Sequence, residues 1–159
     1  MMNLSIVCVG KLKEKYLKDA IDEYKKRLSR FCKLDIIEIP DEKIPDNASP
    51  AEEEKILNLE GKKILSAIKD GTPIVAMCVE GKLISSEELS ESVESFKMTS
   101  GRACFVIGGS LGLSDEVKSK AQAKISFGRI TLPHQLMRVV LTEQLYRAFK
   151  IANNESYHK

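Results

Sequence analysis

Apolar runs and helix-spaced apolar positions alternate along the whole chain. Five short runs rich in aliphatic and β-branched residues predict strands. They span residues 4–9, 34–39, 74–79, 103–107 and 124–132, the last interrupted by Gly128. The third and fourth runs are apolar throughout, which is typical of strands buried on both faces of a parallel sheet. The alternation predicts one α/β domain over residues 1–159, with a mostly parallel sheet and helices on both faces.

Capping signals mark where the helices between these strands begin. Ser49 is followed by Pro50 and Glu52, and Ser85 by Glu88, so both serines start capping boxes that satisfy free N-terminal amides. Ser114 is a third N-cap. Together with the apolar spacing, these signals predict helices over residues 17–28, 50–69, 86–100, 115–123 and 136–152.

Composition supports a single domain with one core. Of 159 residues, 43% are hydrophobic and 30% are charged, as in ordinary globular proteins. No apolar run approaches the roughly 20 residues that span a bilayer, and the N-terminal residues do not resemble a signal peptide. Four cysteines occur without a Cys-x-x-Cys or Cys/His cluster, so we expect reduced, buried thiols and no metal site. The sequence therefore predicts a cytoplasmic protein.

Charge is unevenly distributed although the net formal charge is only +2. Residues 80–116 carry three basic and seven acidic side chains, whereas residues 117–159 carry eight basic and two acidic ones. The basic segment also contains both histidines and several aromatic residues. Such a stretch is typical of a phosphate-binding surface or of a merely solvated basic face, and charge alone leaves both interpretations open.

A glycine-rich turn, Gly108-Gly109-Ser110-Leu111-Gly112, lies between the fourth predicted strand and the next helix. Glycine lets a ligand approach the backbone, and amides at a helix N-terminus favour electron-rich groups. The spacing matches neither the dinucleotide fingerprint nor the phosphate loop of ATPases. A nucleotide-binding turn and a simple tight connection both remain open here.

A second candidate segment runs from Phe127 to His134. Gly128 and Pro133 interrupt the strand pattern, so the backbone between them is expected to turn from the sheet and offer free amides and carbonyls to a flat heterocycle such as adenine. His134 is either a ligand-facing residue or a first-turn helix residue bonded locally.

The last helix and the C-terminal tail form the third candidate. The helix has more apolar positions than one buried face needs, which indicates a partner surface. Arg147 follows Glu143 by four residues and is expected to pair with it. Arg138 has no acidic residue three or four positions away, so we expect it to be free to bind RNA. Tyr157 and His158 are expected to be frayed unless another surface orders them.

The residues at these three places resemble a known family, the RlmH family of SPOUT-class large-subunit rRNA methyltransferases. The likeness covers nearly the whole chain and is densest in its C-terminal third. It rests on the segments Phe105-Val106-Ile107-Gly108-Gly109, Gly112-Leu113-Ser114, Leu132-Pro133-His134, Arg138-Val139, residues 143–148 and the terminal Tyr157-His158.

The resemblance implies a small α/β fold with a C-terminal trefoil knot, a homodimer, and S-adenosylmethionine as cofactor. It implies methylation of N3 of a pseudouridine in the helix-69 loop of 23S rRNA, with the assembled ribosome as the substrate. The knotted cofactor-binding part would span about residues 73–159. By matched position, the expected cofactor-binding residues are Met77, Gly108, Phe127, Gly128, Arg129, Ile130, Thr131 and Leu132.

The same resemblance implies that the tail reaches an active site at the dimer interface. We therefore expect His158 and Tyr157 to handle the proton or position the base, with Arg138 also in the catalytic set. His134 and Arg138 are expected to bind the nucleotide and its phosphates. Two other functions stay open, a non-catalytic ribosome-binding factor and a small-molecule methyltransferase on the same fold.

Overall fold

The computed structural model describes all 159 residues. Five strands and five helices alternate. The strands are β1 (Met2–Val9), β2 (Cys32–Ile39), β3 (Ile74–Leu83), β4 (Arg102–Ile107) and β5 (Ala123–Ser126). The helices are α1 (Lys15–Leu28), α2 (Pro50–Ser66), α3 (Ser86–Thr99), α4 (Asp115–Lys120) and α5 (His134–Ala152).

The predicted helix starts of α2, α3 and α4 are confirmed by their caps. Ser49 and Ser85 each accept a hydrogen bond from the amide three residues on, and the glutamate there returns the bond, so both capping boxes are complete. Ser114 accepts from the amide of Val117. The helix ends differ from the prediction, since α2 stops at Ser66 and α4 at Lys120.

All strands are parallel, in the order β2-β1-β4-β3-β5. Right-handed crossovers require connections that run in opposite directions along the sheet to lie on opposite faces. Accordingly α1, α3 and α5 pack on one face, and α2 and α4 on the other. The predicted parallel α/β fold is confirmed. The order is also consistent with a trefoil knot, which stays a prediction.

The two hydrophobic cores follow from the two-residue period of the strands. In β4, Ala103, Phe105 and Ile107 belong to the core under α3 and α5, whereas Cys104 and Val106 belong to the core under α2 and α4. Because both faces are covered, β4 is buried along nearly all of its length. The carboxyl-terminal side of the sheet at β3, β4 and β5 is therefore held in a fixed position by packing on both faces.

Two strands differ from their predicted extents. β5 ends at Ser126 rather than at residue 132, because Gly128 has a φ of +138° and Ser126 Oγ bonds both its amide and its carbonyl oxygen. β3 continues through Leu83, with a shift of register against β5 between Met77 and Lys82. A Cβ at Gly81 would lie 2.7 Å from the backbone of Ile125, so glycine permits this close pairing.

The cysteines are all free thiols. Cys8, Cys32 and Cys104 are buried, and burial raises the pKa of Cys8 to about 11 and that of Cys32 to about 12. They remain protonated at neutral pH and act as small core residues. Cys78 is half-buried. No helix combines the length and apolar character needed to cross a membrane.

Candidate active site

A cavity of about 480 Å³ opens at the carboxyl ends of β3, β4 and β5. Ligands of parallel α/β proteins bind at this edge, and the volume lies within the range of small-molecule sites. Seven of the eight residues expected to bind the cofactor line it: Met77, Gly108, Phe127, Gly128, Ile130, Thr131 and Leu132. Arg129 is exposed and is not part of the lining.

The glycine turn forms one wall of this cavity. A Cβ at Gly108 would lie 2.2 Å from the carbonyl oxygen of Gly112, which is impossible without moving the turn. The turn is closed by the Gly112 amide, which donates to Gly109 O over 3.0 Å, and Gly112 has a φ of +84°. The turn is thus a compact backbone surface that only glycine allows.

Residues 129–132 form another side of the cavity, where Ile130, Thr131 and Leu132 supply the lining. These residues lie outside every helix and strand, and none of their amides or carbonyls has a hydrogen-bond partner within the chain. Four consecutive residues with free donors and acceptors beside an apolar cavity suit a planar, nitrogen-rich ligand. The segment turns from the sheet, as the sequence predicts.

His134 begins α5 and lines the cavity. A Cβ at Gly10 would lie 3.6 Å from its Nε2, so the ring also borders the loop after β1. Burial lowers the pKa of His134, as does the nearby Arg138 charge, while Asp41 partly opposes both. The imidazole is therefore neutral at pH 7 and offers one donor and one acceptor.

Arg138 is only 1% exposed, and the expectation that it is free to bind RNA is wrong. Its Nη2 donates to Val9 O (3.0 Å) and Gly10 O (2.7 Å), and its Nη1 donates to Glu38 (2.9 Å). The acidic partner lies 100 residues away in sequence, on β2, so helical spacing does not reveal it. Arg138 thus joins α5 to the ends of β1 and β2.

The C-terminal tail is not frayed but packs against α5. Tyr157 Oη donates to Glu143 (3.1 Å), and its ring lies edge-on against Tyr146 at 4.9 Å. The Arg147 guanidinium stacks over the same ring at 4.7 Å. Burial raises the pKa of Tyr157 to about 12, with the Glu143 hydrogen bond contributing, so the phenol is a proton donor at neutral pH.

Both ring nitrogens of His158 are occupied. Arg147 can only donate, so His158 Nδ1 accepts from it over 3.1 Å, and the protonated Nε2 donates to Glu87 over 2.8 Å. In this arrangement His158 has no free lone pair. The geometry therefore favours a positioning role for the tail over direct proton acceptance.

Half of the basic side chains in residues 117–159 are neutralised by partners. Four ion pairs account for them: Lys118 with Glu80, Arg138 with Glu38, Arg147 with Glu143 and Lys150 with Glu155. The Arg147–Glu143 pair confirms its prediction. The basic segment predicted from sequence thus offers less free charge to phosphates than its composition indicates.

Several cavity residues are not predicted from the sequence, among them Cys78, Lys118 and Met137. Cys78 follows Met77 at the end of a parallel strand, and Met137 lies one helical turn after His134, so position along these elements is the signal for both. Lys118 comes from α4 and has no such signal. No group of three or more His, Cys, Asp or Glu side chains is placed to hold a metal ion.

Comparisons with known proteins agree with this geometry. A family model described as "Predicted SPOUT methyltransferase" matches residues 2–158. The chain belongs to the SPOUT methyltransferase family. It is similar to ribosomal RNA large subunit methyltransferase H 1 of Clostridium perfringens, at 58% identity over 99% of this chain and 100% of the relative. A Clostridioides difficile protein named ribosomal RNA large subunit methyltransferase H is 55% identical over the same shares.

A solved structure shares the fold of this SPOUT methyltransferase. It is a probable methylase family protein from Haemophilus influenzae, with a TM-score of 0.55 and 16% identity, covering 98% of this chain and 70% of that one. A methyltransferase needs a methyl donor, and the cavity fits one. The glycine turn presents a compact backbone wall that a Cβ at Gly108 would displace, and residues 129–132 supply unpaired backbone groups beside apolar side chains.

Proposed function

We propose that this chain transfers a methyl group from S-adenosylmethionine to N3 of a pseudouridine in the helix-69 loop of large-subunit rRNA. The reaction takes place in the cytoplasm, on the assembled ribosome. The names of the relatives, which are methyltransferases of large-subunit ribosomal RNA, support ribosomal RNA as the class of substrate. The observation that carries the proposal is the cavity walled by the glycine turn and by the unpaired backbone of residues 129–132.

The cofactor's parts match different parts of the cavity wall. The free amides and carbonyls of residues 129–132 would bind the adenine edge, while Met77, Phe127 and Leu132 would cover its apolar faces. Gly108 lets the turn fold back against Gly112 and so keeps the shape of this wall of the cavity. The bound sulfonium supplies an already activated methyl group, so the chain has to align donor and acceptor and to manage one proton.

The acceptor nitrogen carries a weakly acidic proton, which must pass to solvent water as the nitrogen takes the methyl group from the sulfonium. Neutral His134 offers a hydrogen bond at the cavity wall and would hold the target nucleobase in place. Arg138 does not touch the cavity lining directly and would act by holding α5 against β1 and β2. The single hydroxyl proton of Tyr157 is already donated to Glu143, so Tyr157 would act with the rest of the tail by positioning the nucleobase.

The tail and the cavity of one protomer lie at different parts of α5. His134 stands at its first residue and Glu143, the partner of Tyr157, nine residues later, about 13 Å along the helix axis. In a homodimer, the tail of each chain would reach the cavity of its partner, which would bring the tail residues next to the residues of the cavity wall. The half-buried apolar residues along α5, among them Val139 and Val140, supply an apolar contact surface for that dimer.

Filling the cavity tests the proposal. Met137, on the wall, is changed to Trp, and the exposed Met98 of α3 is changed to Trp as the matched control. We expect the Met137→Trp protein to lose S-adenosylmethionine binding in calorimetry and methyl transfer to ribosomes, while the Met98→Trp protein retains both.

Other outcomes select the other functions. Ribosome binding by the wild-type protein without any cofactor binding identifies a non-catalytic factor. Methyl transfer to free small molecules, insensitive to salt and absent with ribosomes, identifies a small-molecule methyltransferase. Equal activity of the two Trp variants removes the cavity from the reaction.

A further inference from the structure

The loop between β1 and α1, residues 10–14, is fixed from two sides although its side chains are exposed. On one side the Gly10 amide donates to Ile39 O (2.7 Å), and Gly10 O accepts from buried Arg138 (2.7 Å). On the other side Glu38 Oε2 accepts from the Leu12 amide (2.7 Å) as well as from Arg138 (2.9 Å). The backbone of this β1–α1 loop is therefore tied to the ion pair between buried Arg138 and exposed Glu38.

The β1–α1 loop begins beside a residue of the cavity wall. Gly10 lies next to His134, with 3.6 Å between the position of a Cβ on Gly10 and His134 Nε2. His134 itself lines the cavity. A nucleotide whose base enters the cavity past His134 thus places its neighbouring phosphates beside this loop.

The loop carries two lysines without partners. Lys11 and Lys13 are exposed, and neither forms an ion pair. The acidic groups around them are Glu38, which is paired with Arg138, Asp41, which faces His134, and exposed Glu14. Because Glu38 is already paired with Arg138, Lys11 and Lys13 keep ammonium groups without an ion-pair partner, whereas half of the basic C-terminal segment is paired.

We propose that Lys11 and Lys13 bind phosphates of the RNA strand whose base enters the cavity, and that the Arg138–Glu38 pair holds the loop in the conformation that presents them. This inference rests on the proposed function and extends it to a residue-level contact. Lysine–phosphate contacts position the strand and supply affinity without reading sequence. The role predicted for Arg138 in RNA binding is then indirect.

Charge reversal tests the contact. A Lys11→Glu/Lys13→Glu protein is compared with a Lys55→Glu/Lys62→Glu protein, which carries the same charge change on exposed, unpaired lysines of α2, across the sheet from α5. We measure ribosome binding over a range of salt concentrations, steady-state methyl transfer, and calorimetric binding of S-adenosylmethionine.

The loop variant is expected to show a KM for ribosomes raised by about tenfold or more, with kcat and cofactor affinity unchanged. Its log–log salt slope becomes shallower by about 1.4, or about 0.7 per lost phosphate contact on a single strand. The α2 variant matches the wild-type protein. Identical slopes and KM values in the two variants overturn the inference, as does a loss of cofactor affinity in the loop variant alone.

The same data separate this inference from the proposed function. If the wild-type protein transfers no methyl group, the proposed function fails, and the salt slopes of the binding isotherms still decide whether the loop lysines contact RNA. If the wild-type protein methylates ribosomes while the loop variant behaves like the α2 variant, only the loop contact is wrong.

Discussion

Single residues of the cavity wall show how closely its shape depends on side-chain size. Gly108 is recognisable from sequence because glycines between a strand and a helix admit ligands. The reason it must be glycine is visible only in the structure, where the turn folds back until Gly112 O occupies the place of a Cβ. The free backbone of residues 129–132 is likewise suggested by Gly128 and Pro133, but its extent depends on where β5 stops.

Gly108→Ala is expected to weaken S-adenosylmethionine binding. The added methyl group displaces the turn, at a strain of about 1–3 kcal/mol, which corresponds to an increase in Kd of about fivefold to 150-fold. Gly101→Ala is the control, because Gly101 has a φ of +69° and nothing within 4 Å, so it strains the backbone away from the cavity. Calorimetry measures both; equal cofactor affinities contradict the role given to the turn.

His134 gives the fold a pH dependence whose sign follows from its lowered pKa. Below pH 6.5 the unfolded chain takes up a proton at this residue that the folded chain does not. The free energy of unfolding therefore decreases as the pH is lowered from 6.5 to the pKa of His134 in the folded protein. His134→Asn is expected to reduce this loss in urea unfolding measured across that window. The same loss in both proteins is evidence against a desolvated, neutral imidazole.

Elements differ in how well sequence predicts them. Complete capping boxes placed the starts of α2 and α3, and continuous apolar runs placed β3 and β4, because these signals are local. The end of β5 and the extension of β3 depend on contact between two strands at Gly81 and Ile125, which no local pattern contains. Arg138 shows the same limit, since its partners lie on β1 and β2.

Replacing Arg138 tests how α5 is attached to the sheet. Arg138→Met removes three hydrogen bonds from a buried guanidinium and leaves Val9 O and Gly10 O without partners. We expect the free energy of unfolding to fall by about 3 kcal/mol, measured by chemical denaturation. Arg138→Lys is expected to rescue little, since one ammonium cannot span the same acceptors. Wild-type stability in either variant contradicts the proposal that Arg138 attaches α5 to the ends of β1 and β2.

At the scale of the whole molecule, the cavity and the C-terminal tail lie at different places in the chain, and the proposed function joins them in a dimer. The sheet edge, the glycine turn and residues 129–132 form the cavity, whereas Tyr157 and His158 are bound by Glu143, Arg147 and Glu87 along α5 and α3. Sequence resemblance implies that the tail is functional. It does not reveal that both His158 nitrogens are occupied, an arrangement that favours the positioning role proposed for the tail.

Mixing two inactive proteins tests the shared reaction centre most directly. One lacks residues 156–159, and the other carries Met137→Trp in the cavity; neither is expected to methylate ribosomes alone. After subunit exchange, half of the dimers pair an intact cavity with an intact tail, so rRNA methylation should return to about a quarter of the wild-type rate. A mixture as inactive as its components, or full activity of the tail-deleted protein by itself, contradicts the account.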